Sequence, residues 1–296
     1  MSQKQYKSHY EYLKNKWTDT HKALERSLWE RHMESLNWLH QTAKYATVGS
    51  VSAFLLMTTP VTKPTPIQSP SPAPIRQEKA ISPTAFFITD LHQALPQIVS
   101  PLSAIEETNV LTIIQRDLGM KVAAQMQHIR LNQNYGYIGQ EQHLMRYPGD
   151  TIDTHFDSSD DANQFASTGM APGRGAWGYF APSQEEFTKQ DSEREKYYIA
   201  VPTFLSEGYT EHTSEYSTFF KFRKMLVINP DNGKTIVAVI GDSGPAPFTG
   251  KQLGGSPEVM RYLERVDGAQ KGPVLYFFLD DPHDKIALGP VEKTTL

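Results

Sequence analysis

The chain of 296 residues contains no cysteine. That absence excludes a thiol nucleophile, a Cys-ligated zinc site, a disulfide framework and attachment through a lipidated cysteine. A dominant charge is missing too: 29 Lys and Arg stand against 33 Asp and Glu, a net charge of −4. No Lys/Arg cluster occurs beyond the first 50 residues. A nucleic-acid binder needs such a cluster to neutralise phosphates, so that class is set aside. Long hydrophobic runs are also lacking. The uncharged stretch 45–59 is shorter than the roughly 20 residues of a full membrane span, unless Trp38, Leu39 and the stem of Lys44 extend it.

What is present changes character along the chain. Residues 1–44 read as a polar, cytoplasmic helix, with Leu24, Leu28, Trp29, Met33, Leu36 and Leu39 at roughly helical spacing among alternating charges. Residues 45–59 form a candidate membrane anchor. The basic excess precedes it, as the positive-inside rule requires, and a Pro/Ser/Thr-rich spacer, 60–83, follows it. A buried helical hairpin is the alternative reading of that block.

Residues 84–134 read as a helical segment interrupted near Pro96 and Pro101. Its strongest part is 106–130, where Val110, Ile113, Ile114, Leu118, Val122, Met126 and Ile129 recur at intervals of three and four. From 135 to 187 the chain is rich in Gly, Asp and aromatics and has little periodicity, the signature of long functional loops. The last third reads as β. Strands are expected at 197–204, 220–228, 235–241 and 274–279, where β-branched and aromatic residues concentrate. Asn232-Gly233 signals a tight hairpin. Ser256, Pro257 and Glu258 signal a helix start by a capping hydroxyl, a proline in the first turn and an acid near the positive helix end.

The run from Met225 to Leu263, MLVINPDNGKTIVAVIGDSGPAPFTGKQLGGSPEVMRYL, resembles the core of the double-psi β-barrel family. That family includes the rare lipoprotein A type of septal wall enzymes, the barrel of membrane-bound lytic transglycosylases, and expansins. The resemblance rests on the strand-turn-strand around Asn229, Asn232 and Gly233, on Asp242-Ser243-Gly244-Pro245, on the Gly250 turn and on the helix begun by Ser256. It covers about a quarter of the chain. It implies a six-stranded double-psi-like barrel with a short helix within 135–296, mainly β, preceded by α-helical N-terminal and middle segments.

Asp242 falls on the acid of the family's Asp-Arg-Gly-Pro motif, which in lytic members is general acid and base. The resemblance therefore implies a catalytic Asp242 acting on peptidoglycan glycan strands, in a membrane-tethered protein whose barrel faces the cell wall. Ser243 stands where the family has arginine, which favours a non-catalytic wall-binding or scaffold module. In that alternative Asp242 caps the turn that follows it.

Candidate substrate-binding residues are Trp177 and Tyr179, whose rings could stack on sugars or build core, Arg174, which suits an acidic glycan or a peptide carboxylate, His143 and Ser243. No cofactor is called for. A weaker alternative is a metal-dependent hydrolase in which Asp153, His155 and Asp157 alternate along one face of a strand.

Overall fold

The computed structural model describes residues 83–265 and 271–292. The expected polar helix at 1–44, the anchor at 45–59 and nearly all of the spacer at 60–83 lie outside the described residues. No helix among the described residues is long and apolar enough to cross a membrane.

The middle segment begins with two helices, α1 (Pro83–Ala94) and α2 (Ala104–Leu118). Proline opens α1 at the position where its missing N–H costs nothing, and Pro96 follows its end. A reciprocal cap starts α2: the Glu106 N–H donates to Ser103 Oγ, and the Ser103 N–H donates to Glu106 Oε2 at 2.8 Å. The helix stops at Leu118 because Gly119 takes the left-handed conformation, φ 65°. The helix expected over 106–130 is therefore twelve residues too long. Residues beyond Gly119 form β1 (Val122–Ala123), β2 (Gln125–Met126) and β3 (Ile129–Arg130). Their spacing continues the helical period, but Val122 and Ala123 find a ladder on Leu279 and Phe278, and tertiary pairing overrides the local pattern.

Six further strands close into a barrel: β4 (Tyr135–Gln140), β5 (Tyr198–Val201), β6 (Lys224–Ile228), β7 (Thr235–Ser243), β8 (Leu253–Gly255) and β9 (Lys271–Leu279). The ring runs β4–β8–β5–β7–β6–β9 and returns to β4. The β4–β8 and β5–β7 pairs are parallel, and the other four are antiparallel. This closed, mixed-direction ring is compatible with a double-psi barrel. A short β10 (Gly289–Pro290) adds to β7.

Alternation along the strands explains why the sequence reads as near-continuous apolar runs. Met225, Val227, Ile236, Ala238, Ile240, Val274, Tyr276 and Phe278 fill the barrel interior, where Phe219 and Phe220 of α5 (Thr213–Phe220) also pack. The intervening Leu226, Ile228, Val237, Leu275, Phe277 and Leu279 point outward and are covered by Phe87, Leu91, Val110, Ile113 and Ile114 of α1 and α2. Strands buried on both faces lose the polar-out pattern. The two middle helices thus form a layer on one barrel wall.

The β6–β7 connection is a four-residue turn between Asn229 and Lys234, not the tight two-residue hairpin expected. The Asn229 N–H donates to Lys234 O, the Gly233 N–H donates to Asn229 O, and Gly233 alone takes a positive φ of 71°. The Asn229 side chain braces the turn, its oxygen accepting the Asp231 N–H at 2.9 Å, and also reaches beyond it. Its amide donates to Leu263 O at 2.7 Å and accepts from Arg265 Nη2 at 2.6 Å, tying the turn to the end of α6 (Pro257–Tyr262). Ser256 caps α6 as expected, accepting from the Val259 N–H, and its own hydroxyl donates to Lys196 O at 2.7 Å.

Candidate functional site

β7 carries Asp242 to its C-terminal end, where the buried run Thr235–Ile240 gives way to half-buried residues. Asp242 Oδ1 accepts two backbone N–H bonds, from Ala176 at 2.6 Å and from Ser243 at 2.8 Å. Oδ2 has no hydrogen-bond partner among the described residues. The neighbouring Ser243 hydroxyl shares a hydrogen bond of 2.6 Å with Thr203, which follows β5. Because β5 and β7 are parallel, the chain leaving each strand emerges at the same end of the barrel. Phe204 follows β5 and is 40% exposed; Phe248 follows β7 and is 92% exposed. Sequence alone singles out neither phenylalanine, because one aromatic in a Pro/Gly loop carries no period.

The segment 169–181 folds over this end. Trp177 packs partly on the barrel core, and its Nε1 donates to Ile240 O at 3.1 Å. Phe180 stacks on Phe222 at 5.4 Å. Tyr179 sits beside exposed Arg174, whose guanidinium lies 5.7 Å from its ring centre. Trp177 and Phe180 are therefore packing groups in large part, and Tyr179 with Arg174 is the more open pair. The structure brings Asp242, Ser243 and the Arg174–Tyr179 segment together. A Cβ on Gly175 would stand 3.3 Å from both Gly241 O and Leu144 Cδ1, a tight fit, and 3.7 Å from Asp242 Oδ1, an ordinary contact.

His143, a candidate for substrate contact, is wholly buried: it lies with His155 and Glu195 in a charged cluster within the 141–197 segment. Glu195 projects from α4 (Lys189–Lys196), which follows the short α3 (Ser159–Phe165) and which Thr188 and Asp191 cap reciprocally. One carboxylate oxygen accepts the Leu144 N–H at 3.1 Å and lies 3.4 Å from His143 Nδ1, out of hydrogen-bonding alignment; the other meets His155 Nε2 at 3.1 Å. On its other side His155 Nδ1 meets Asp150 Oδ2 at 2.9 Å. Arg146 grips Asp150 with two side-chain bonds, of 3.0 and 3.1 Å, and donates to Thr154 O at 2.7 Å.

Burial alone would lower His155, but its hydrogen bonds to Asp150 and Glu195 overcome this and raise it to about 9. Burial would raise both carboxyls. Hydrogen bonds from His155 and Arg146 instead hold Asp150 well below its ordinary range, and the adjacent His143 ring together with the hydrogen bond from His155 holds Glu195 down. Glu258, in the first turn of α6, goes the other way. Burial, and then the nearby Glu195 charge, push it up to about 8, and its Oε2 has no hydrogen-bond partner.

The expected metal face of Asp153, His155 and Asp157 is not formed. These residues lie in turns and bends rather than on a strand, and only His155 is buried. His143, His155 and Glu195 do place ligand-type atoms within 4.8 Å of one another. Glu195 escapes a reading of the sequence because it lies in KQDSEREK, which looks like a solvated polar helix.

Comparison with protein families, with curated proteins and with solved structures finds no match to this chain.

Proposed function

We propose that this protein is a membrane-tethered, extracytoplasmic factor that binds peptidoglycan glycan strands and cleaves them in the manner of a lytic transglycosylase, with Asp242 as general acid and base. The observation that carries the reading is Asp242 itself: Oδ1 is fixed by two backbone donors, and Oδ2 is left without a partner among the described residues. A carboxyl held this way is oriented without being consumed. The exposed Phe204 and Phe248, which follow β5 and β7, suit the flat apolar faces of sugars.

In this reading Asp242 in its acid form gives a proton to the glycosidic oxygen as the C1–O bond breaks. As carboxylate it then takes the proton from the same sugar's C6 hydroxyl, which closes on C1. No water is consumed and no second carboxylate is required, unlike hydrolytic glycosidases. The tether and the extracytoplasmic location come from the sequence of 1–83 and from the resemblance.

A non-catalytic wall-binding module is the second reading. It is favoured by the same two bonds, which give Asp242 a complete role as a clamp for the 169–181 segment, and by Ser243 at the family's arginine position. The test is incubation of the purified protein with peptidoglycan, scoring pelleting and the mass of released fragments. Asp242→Asn keeps an oxygen for both backbone donors but removes the proton relay. Anhydro-sugar release by the native protein, with pelleting but no release by Asp242→Asn, is the expected result. Pelleting by both without release establishes the binding module. Absence of pelleting sinks both readings.

A further inference from the structure

His143 is an anomaly in the buried cluster. Its side chain is sealed from solvent, yet neither ring nitrogen makes a hydrogen bond. A buried polar group left unpaired is costly, so an imidazole in this position calls for a partner that takes its lone pair. Glu195 Oε1 lies 3.4 Å from Nδ1, and the other Glu195 oxygen is 3.1 Å from His155 Nε2.

These separations have a chemical meaning. Four ligands around a zinc ion at bond lengths of about 2.0–2.1 Å stand roughly 3.3–3.4 Å from one another. Each ring has a nitrogen facing one of the two carboxylate oxygens, and all three residues place a ligand atom within 4.8 Å of the others, so small side-chain rotations bring them onto one ion. Asp150 holds the opposite nitrogen of His155 at 2.9 Å and is itself gripped by Arg146. A carboxylate behind a histidine in this way fixes the ring and raises its basicity as a ligand.

We infer that His143, His155 and Glu195 form a structural site for a divalent transition metal of the zinc class. Two imidazoles and a carboxylate, with no thiolate available, suit zinc. The three ligands are 4% exposed or less, so the ion is closed off from substrate, and its role is to hold the segment between β4 and β5 on the barrel. The fourth position is taken by a water or by the second Glu195 oxygen. The inference is independent of the glycan reading, because it uses neither Asp242 nor the exposed end of the barrel.

The test uses the full chain, stripped with a chelator, dialysed and reloaded with Zn(II) or Co(II). The expected results are about one metal per chain by mass spectrometry, the intense visible absorption of tetrahedral Co(II), and a higher melting temperature with zinc. His143→Leu gives up no hydrogen bond from the ring, and Glu195→Gln still offers an oxygen to the Leu144 N–H. Each is expected to lower metal content at least tenfold and to abolish the zinc-dependent rise in melting temperature. Native protein that binds less than a tenth of an equivalent overturns the site. So does metal content unchanged in whichever of the two variants folds.

Discussion

Replacing Glu258 with glutamine should stabilise the protein increasingly as pH rises from 4.5 to about 8. Glu258 is 9% exposed, its Oε2 lacks a partner, and burial followed by the Glu195 charge moves its proton affinity from the ordinary 4.5 up to about 8. A carboxyl raised in the folded state favours folding fully below its unfolded value, and that contribution is lost as pH rises through the folded value. Between pH 4.5 and about 8 the folded protein holds a proton that the unfolded chain has released, so stability falls by up to ~1.4 kcal/mol per pH unit from this group alone. The positive end of α6 offsets part of the loss by favouring the charge. Glutamine keeps the shape and carries no charge, so its stability should not have this slope. The assay is urea unfolding of native protein and Glu258→Gln at pH 4.5, 6, 7.5 and 9, both kept in chelator. The difference between them cancels titrations common to both, including those of His155 and Asp150. The curves should separate steadily up to about pH 8, with the variant the more stable, and run parallel beyond it. Curves that are parallel over the whole range would refute the assignment of a protonated buried acid.

Two further outcomes follow from close packing and from the buried cluster. Gly241→Ala would place a Cβ 2.6 Å from Tyr198 Cβ, between paired strands that cannot separate freely; a loss of about 1–3 kcal/mol is expected in chemical denaturation, and a change below ~0.5 kcal/mol would show that β5 and β7 have slack there. Arg146→Leu strands Asp150 without its guanidinium, which should cost about 3–5 kcal/mol; because Phe180 and Ala181 donate to Arg146 O, it should also shift the emission of Trp177, read as the difference from the same variant carrying Trp177→Phe, and an unchanged difference spectrum would disprove that link.

The barrel is legible in the sequence where strands are long and apolar. Four of its six strands fall at nearly the expected positions, since β5, β6, β7 and β9 carry runs such as MLVI and TIVAVI that suit burial on both faces. β4 and β8 do not announce themselves. Their sequences, YGYIGQ and LGG, contain glycines and too few branched residues to signal a strand, and what holds them is the ladder with neighbours remote in sequence. The helix over 106–130 fails at Gly119 because a three-four spacing says nothing about the one residue that turns the backbone left-handed. Ser256 and Pro257 start a helix where the sequence signals one, because a cap is a local device. Asp242 stands out through its position in a motif, and its bond to the Ser243 N–H matches the turn-capping alternative; its second bond, to Ala176 across 66 residues, is beyond local reading. The same distance problem hides Glu195, whose neighbours in sequence are solvated while its own side chain is not.

Lack of cysteine gives this architecture its character. The segment joining β4 to β5 spans 141–197 with only short helices, and a chain of that kind is ordinarily fixed by disulfides or by a core of its own. Here the fastening is polar: Leu144 and His155 on Glu195, Arg146 on Asp150, and the Phe180 and Ala181 N–H groups on Arg146 O. Buried charge of this kind adds little net stability against an apolar replacement, because the desolvation cost consumes most of the attraction. What it supplies is direction, since few alternative placements of the segment satisfy every donor and acceptor. The last link in that chain of bonds is the Ala176 N–H on Asp242. The orientation of Asp242 at the barrel end therefore depends on a segment whose position is set by the buried cluster, so apolar replacement of that cluster can preserve folding while losing that alignment.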